Sequence, residues 1–215
     1  MERYFREPIN GFTHLIGAFL SLVGLIAMIV KSITVSGLGL PLLSVCIFGI
    51  SLILLYTTSA TYHLVKSEDK VIAFLRRLDH SMIFVLIGGS YMPFYLNLLE
   101  GKNRVVLTTL IVSLTISGVL FKMLWFKCPR WFSTLLYIGM GWIALFGYPL
   151  YQAISFDAFL WLFLGGVLYT IGGIIYAVKP NFLKFKHLGF HEIFHIFIML
   201  GSACHFISVF YYVLV

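Results

Sequence analysis

The sequence predicts an all-α integral membrane protein: one domain over residues 1–215, built as a seven-transmembrane-helix bundle. Three observations predict it. Hydrophobic residues make up 60% of the chain and charged residues only 11%, against roughly a quarter charged in ordinary soluble domains. The apolar residues fall in seven runs of roughly 20, each long enough to cross a hydrocarbon core of about 30 Å. The basic residues gather in the gaps between alternate runs, where orientation signals belong.

The first run, near 11–30, is too long for a signal peptide and lacks a small-residue cleavage site. The second, near 38–62, exceeds a minimal span, so it should tilt or project beyond the hydrocarbon. It closes with LYTTSATYHLV. The longest connector, VKSEDKVIAFLRRL, reads as an amphipathic interfacial helix ahead of the third run, near 80–99. The fourth to sixth runs lie near 105–125, 131–151 and 158–178. Glycine pairs at Gly88/Gly89, Gly139/Gly141, Gly165/Gly166 and Gly172/Gly173 predict close helix packing. The seventh run, near 190–213, holds GFHEIFHIFIMLGSACHF. Trp125, Trp131, Trp142, Trp161 and the tyrosines fit interfacial belts and core packing. No soluble domain, low-complexity tract or internal repeat is visible. Cys46, Cys128 and Cys204 are widely spaced without a CxxC pair, which argues against a disulfide framework or a cysteine metal site.

The net charge of +7 is a topology signal and not a nucleic-acid footprint. Twelve of the fifteen basic residues (Arg3, Arg6, Lys66, Lys70, Arg76, Arg77, Lys122, Lys127, Arg130, Lys179, Lys184 and Lys186) fall on one side, and Lys31, Lys102 and Arg104 on the other. The positive-inside rule then puts the N-terminus in the cytoplasm and the C-terminus outside.

With that topology, five polar residues arrive at similar depth on the cytoplasmic leaflet. Ser59 and His63 are one turn apart near the end of span 2. Asp79 opens span 3, and His191 and His195 share one face in the first turns of span 7. The span centres are nearly free of ionisable groups, which favours a localised site over a conduit. Three imidazoles around a divalent ion, with a fourth position for water, is a zinc arrangement. A nearby carboxylate could orient that water or accept its proton. Attack on the carbonyl of an amide or ester lipid is the chemistry such a site would offer. Blander readings stand beside it: histidines at helix ends as interfacial polar groups, and Ser59 bonded to its own backbone. His14 and His80 read as interfacial or supporting residues, His205 as a polar residue packed in the core, and His187 and Glu192 as interface-facing. Glu7 and Asn10 either cap span 1 or brace the site.

The segments EPINGFTHLIGA (7–18), SATYHL (59–64), RRLDHSMIF (76–84) and GFHEIFHIFIMLGSACHF (189–206) together resemble the hemolysin III family, the bacterial branch of the progestin and adipoQ receptor group that includes the adiponectin receptors. The resemblance spans essentially the whole chain. It implies a seven-helix bundle with a cytoplasmic N-terminus, zinc on His63, His191 and His195, and Asp79 and Ser59 beside the metal-bound water. No role carries over for Glu7, Asn10, Thr13 and His14. The wider superfamily includes alkaline ceramidases, which hydrolyse lipid amides, while bacterial members are linked to hemolysis and membrane-fluidity homeostasis. The expected function is therefore a membrane zinc hydrolase of lipid amide or ester bonds. The alternative is a membrane-perturbing hemolysin or fluidity sensor with structural zinc. The expected partners are membrane lipids and no nucleic acid; oligomeric state stays open.

Overall fold

In the computed structural model, residues 4–125, 127–143, 148–183 and 189–215 are described. They are helical throughout, with no strand among the described residues. We number the helices α1 (Pro8–Ser36), α2 (Leu40–Leu64), α3 (Asp69–Leu98), α4 (Gly101–Leu124), α5 (Arg130–Gly141), α6 (Tyr148–Ala153), α7 (Phe156–Val178) and α8 (Phe190–Ser208). A single 3₁₀ turn, Asn181–Leu183, follows α7, and α8 runs on into a π-helical turn, Val209–Val213.

Local chemistry sets the boundaries. Pro8 opens α1, where its missing N–H costs nothing. Gly37 and Gly39 take positive φ values of 72° and 152°, a conformation that glycine alone adopts freely, and so turn the chain from α1 into α2. Ser155 caps α7 by accepting from the Ala158 N–H at 3.3 Å. Lys179, left-handed at φ 52°, ends α7 just before Pro180. Inside α3, Pro93 interrupts the backbone ladder. The Asn97 side chain donates to the Pro93 carbonyl at 2.6 Å and to Ser44 Oγ at 3.0 Å, linking α3 to α2.

Helices that are neighbours in sequence pack side by side from α1 to α4, α7 packs on α8, and α8 returns to α1. α5 bridges α7 and α3, which closes the ring. Met28, Phe48, Tyr56, Phe94 and Tyr95 form part of the buried core, while apolar side chains such as Phe19, Val30, Leu120 and Ile174 face outward. An apolar exterior around satisfied helical backbone is what a lipid environment demands. Among the described residues, five helical segments are long and apolar enough to cross a bilayer: Pro8–Ser36, Leu40–Leu64, Gly101–Leu124, Phe156–Val178 and Phe190–Val213. The protein is a multi-pass membrane protein.

Several expectations are corrected. The connector VKSEDKVIAFLRRL is not a separate interfacial helix: residues 65–68 are the link, and residues 69–78 are the first turns of α3 itself. The fifth apolar run is divided between α5 and α6, and residues 144–147 within it lie outside the described residues. So do Arg3, Lys184, Lys186 and His187. The glycine reading holds for Gly88 and Gly89, where an added Cβ would fall 2.0 Å from Thr115 Oγ1 and 2.3 Å from Ser51 Oγ. It fails for Gly139 and Gly141, which among the described residues have nothing within 4 Å of that position.

Candidate functional site

Four helix ends meet at one end of the bundle. The Arg6 and Glu7 N–H groups donate to the Leu64 and His63 carbonyls at 3.4 and 2.9 Å, which stitches the start of α1 to the end of α2. The Arg6 guanidinium adds a bond to the Tyr62 carbonyl and lies over the Tyr62 ring, 4.1 Å from its centroid. The first turns of α8 bring His191 and His195 to the same level.

His63, His191 and His195 each present a ring nitrogen, and the three nitrogens lie within 4.8 Å of one another. His63 and His195 are buried, at 0% and 1% exposure. Their rings stand edge to face, with centroids 4.7 Å apart for His191 and His195 and 5.0 Å from His63 to each. Ligands at about 2.1 Å from a tetrahedral ion lie about 3.4 Å from one another, so small rotamer shifts would close the trio on one ion.

The outer ring nitrogens are braced from α1. His63 Nδ1 lies 2.6 Å from Glu7 Oε2. His195 Nδ1 lies 3.5 Å from Thr13 Oγ1, and that hydroxyl donates to the Asn10 carbonyl at 2.9 Å. An N–H held this way fixes the tautomer and turns the opposite nitrogen's lone pair inward. Among the described residues, the buried His63 Nε2 has no hydrogen-bond partner, so the donor set fits a metal ion: a cation would satisfy that acceptor. The hydrogen bond with His63 holds the Glu7 carboxyl well below its usual range against the opposing effect of burial, with the neighbouring Arg6 charge acting the same way. Of the two open readings for Glu7, the geometry is that of a brace: it occupies the N-cap position of α1 but makes no side-chain capping bond.

Asp79 and Ser59 flank the trio. Both line the same cavity as His191 and His195, and Asp79 Oδ2 lies 3.5 Å from His80 Nδ1. His80, next in sequence, donates from Nδ1 to the Arg76 carbonyl at 2.8 Å and accepts at Nε2 from the Tyr176 hydroxyl at 3.0 Å. His14 is not interfacial. It is 3% exposed and stacks on His195 with centroids 3.6 Å apart. Glu192 accepts from the Gly189 N–H at 2.8 Å and caps α8. Tyr176, whose ring meets the His191 ring at 5.8 Å, and Thr13 as a brace were not singled out by the sequence. No pattern in the chain marks a hydroxyl that reaches across helices.

The site opens on a cavity of about 150 Å³. Asp79, His191 and His195 line one end of it, and Leu150, Leu162 and His205 the other. Along α7 its lining runs from Tyr176 to Leu162, fourteen residues or about 21 Å of helix. The cavity is thus long, narrow and mainly apolar.

The chain matches the family model described as "Haemolysin-III related" over residues 2–206. It belongs to the haemolysin-III family. Within the family it is 37% identical over 207 residues to the "Hemolysin-3 homolog" of Bacillus subtilis (strain 168), covering 96% of this chain and 93% of that relative. It is 36% identical over 216 residues to "Hemolysin-3" of Bacillus cereus, covering 100% of this chain and 95% of that relative. These haemolysin-III relatives match it nearly end to end, so the resemblance carried by the four motifs extends through the whole bundle.

Proposed function

We propose that this haemolysin-III protein is a zinc-dependent hydrolase that cleaves an amide or ester bond of a membrane lipid at the cytoplasmic end of a seven-span bundle. In this reading α3 and the α5–α6 pair are the two spans that join the five apolar ones. The observation that carries it is the three-histidine cluster with Asp79 and Ser59 beside it on the wall of one long apolar cavity.

His63, His191 and His195 would hold the ion. When bound, zinc would supply Lewis acidity and lower the pKa of a coordinated water toward 7. Asp79, oriented by Ser59, takes a proton from the attacking water and passes it to the departing amine or alcohol. The Ser59 hydroxyl steadies Asp79 or the oxygen on which charge develops. The apolar cavity holds the acyl chain and excludes bulk water, which strengthens these interactions.

Purified protein is expected to contain about one zinc per chain, as a single three-histidine site requires, and His191→Ala to lose it. Asp79→Asn should keep the metal and lower hydrolysis of a ceramide-type amide by about 10² or more, the usual contribution of a general base. Full zinc occupancy in His191→Ala, or an undiminished rate in Asp79→Asn, would sink the reading.

The name of the Bacillus cereus relative, "Hemolysin-3", favours a second reading: a membrane-perturbing protein, or a sensor of bilayer state, with zinc only structural. Lysis of erythrocytes that survives loss of all three histidines would select it over the enzyme.

A further inference from the structure

The far end of the cavity carries its own polar group. His205 lies on α8 ten residues beyond His195, about 15 Å farther along the helix axis. It is 7% exposed and lines the cavity. Among the described residues, neither ring nitrogen has a hydrogen-bond partner. The ring rests against Gly165, where an added Cβ would fall 2.3 Å from Cδ2 and 2.7 Å from Nε2. Tyr169 meets it edge-on at 5.1 Å. α7 therefore gives up a side chain to admit an imidazole at this depth.

Burying a hydrogen-bonding group with no partner is unfavourable, and leucine would fill the same space without that cost. The neighbouring polar groups are already satisfied. The Tyr56 and Tyr169 hydroxyls both meet Ser202 Oγ, at 2.7 and 2.8 Å. Trp142 Nε1 donates to Thr170 Oγ1 at 2.9 Å. Among the described residues at this end, His205 is the side chain with hydrogen-bonding capacity still to give.

We propose that His205 recognises an oxygen function, a hydroxyl or carbonyl, carried on the hydrocarbon chain of the lipid in this cavity, about 15 Å from the three-histidine cluster. The inference rests on the proposed reading that the cavity holds the lipid's chain. A neutral imidazole donates at one nitrogen and accepts at the other, so it meets a hydroxyl in either tautomer. The ligand class is a single-chain lipid bearing a polar group near its far end.

The test offers the full-length protein, in lipid nanodiscs, an equimolar pair of acids: a straight-chain fatty acid and its ω-hydroxy analogue. The pair is repeated over a ladder of chain lengths, and native mass spectrometry reads the bound ratio. The wild type is expected to enrich the hydroxy acid about fivefold at one chain length, the worth of one net hydrogen bond. The ratio should fall to one or below in His205→Leu and persist in His205→Gln. If His205→Leu fails to assemble, His205→Phe keeps a ring in the Gly165 notch without its nitrogens and should lose the enrichment in the same way. No enrichment at any length in the wild type, or enrichment unchanged in the Leu or Phe variant, overturns the proposal. Selectivity without hydrolysis would leave His205 its role and sink the hydrolase; hydrolysis without selectivity would do the reverse.

Discussion

At His63 a single carboxylate decides which ring nitrogen faces the centre. Glu7 Oε2 takes Nδ1 at 2.6 Å, so Nε2 points inward with its lone pair free. Partners of this kind typically contribute 10–100-fold to metal affinity. Glu7→Ala is therefore expected to weaken zinc binding by about that factor in a chelator competition. The zinc-free protein should also lose about 1–3 kcal/mol of stability, because the buried His63 Nδ1 is left without its partner, so affinity is compared at a temperature where both proteins are folded. Unchanged affinity would remove Glu7 from the site. His63, His191, His195 and Asp79 are legible in the sequence because ionisable groups in apolar runs stand out and helical spacing groups them. Glu7 is legible only as a choice between cap and brace. Thr13 and Tyr176 are silent, since a hydroxyl's role depends on how separate helices meet, and local pattern holds no record of that.

At the scale of the element, glycine separates packed faces from open ones. A Cβ on Gly118 of α4 would fall 2.3 Å from the buried Phe84 ring of α3, so Gly118→Ala should destabilise by about 1–3 kcal/mol through overpacking. Gly139 of α5 meets nothing within 4 Å among the described residues, so Gly139→Ala should be neutral or stabilising by up to about 1 kcal/mol through helix propensity. Thermal unfolding in detergent checks both, and equal losses would refute the packing assignment. Helix existence is legible because apolar runs of bilayer length have few other uses. Helix ends are less so. The apolar signal marks where hydrocarbon begins, whereas α3 starts eleven residues before the predicted span, with Asp69 in its first turn, where the helix dipole favours an acid. The division between α5 and α6 is invisible for a related reason: hydrophobicity continues across it.

At the scale of the whole molecule, charge and chemistry share one end. Arg6, Lys66, Arg76, Arg130 and Lys179 sit at or near helix ends on the side of the histidine cluster, while Lys102 and Arg104 open α4 at the other end. Lys31, near the far end of α1, finds the Phe210 carbonyl at 2.6 Å, with the Phe210 ring beneath it at 4.8 Å. Lys122, counted among the twelve orienting charges, is buried and donates to Ser133 Oγ at 2.7 Å. It is a weaker orientation signal than its loop neighbours, but eleven against three still points the same way. On the proposed seven-span reading the termini lie on opposite sides. Alkaline phosphatase, active only outside the cytoplasm, should be active when fused after Val215 and inactive when fused after Lys66 or Lys127. The reverse pattern would put the histidine cluster in the outer leaflet. On the proposed reading, lipid would then come from that leaflet and zinc from outside the cell.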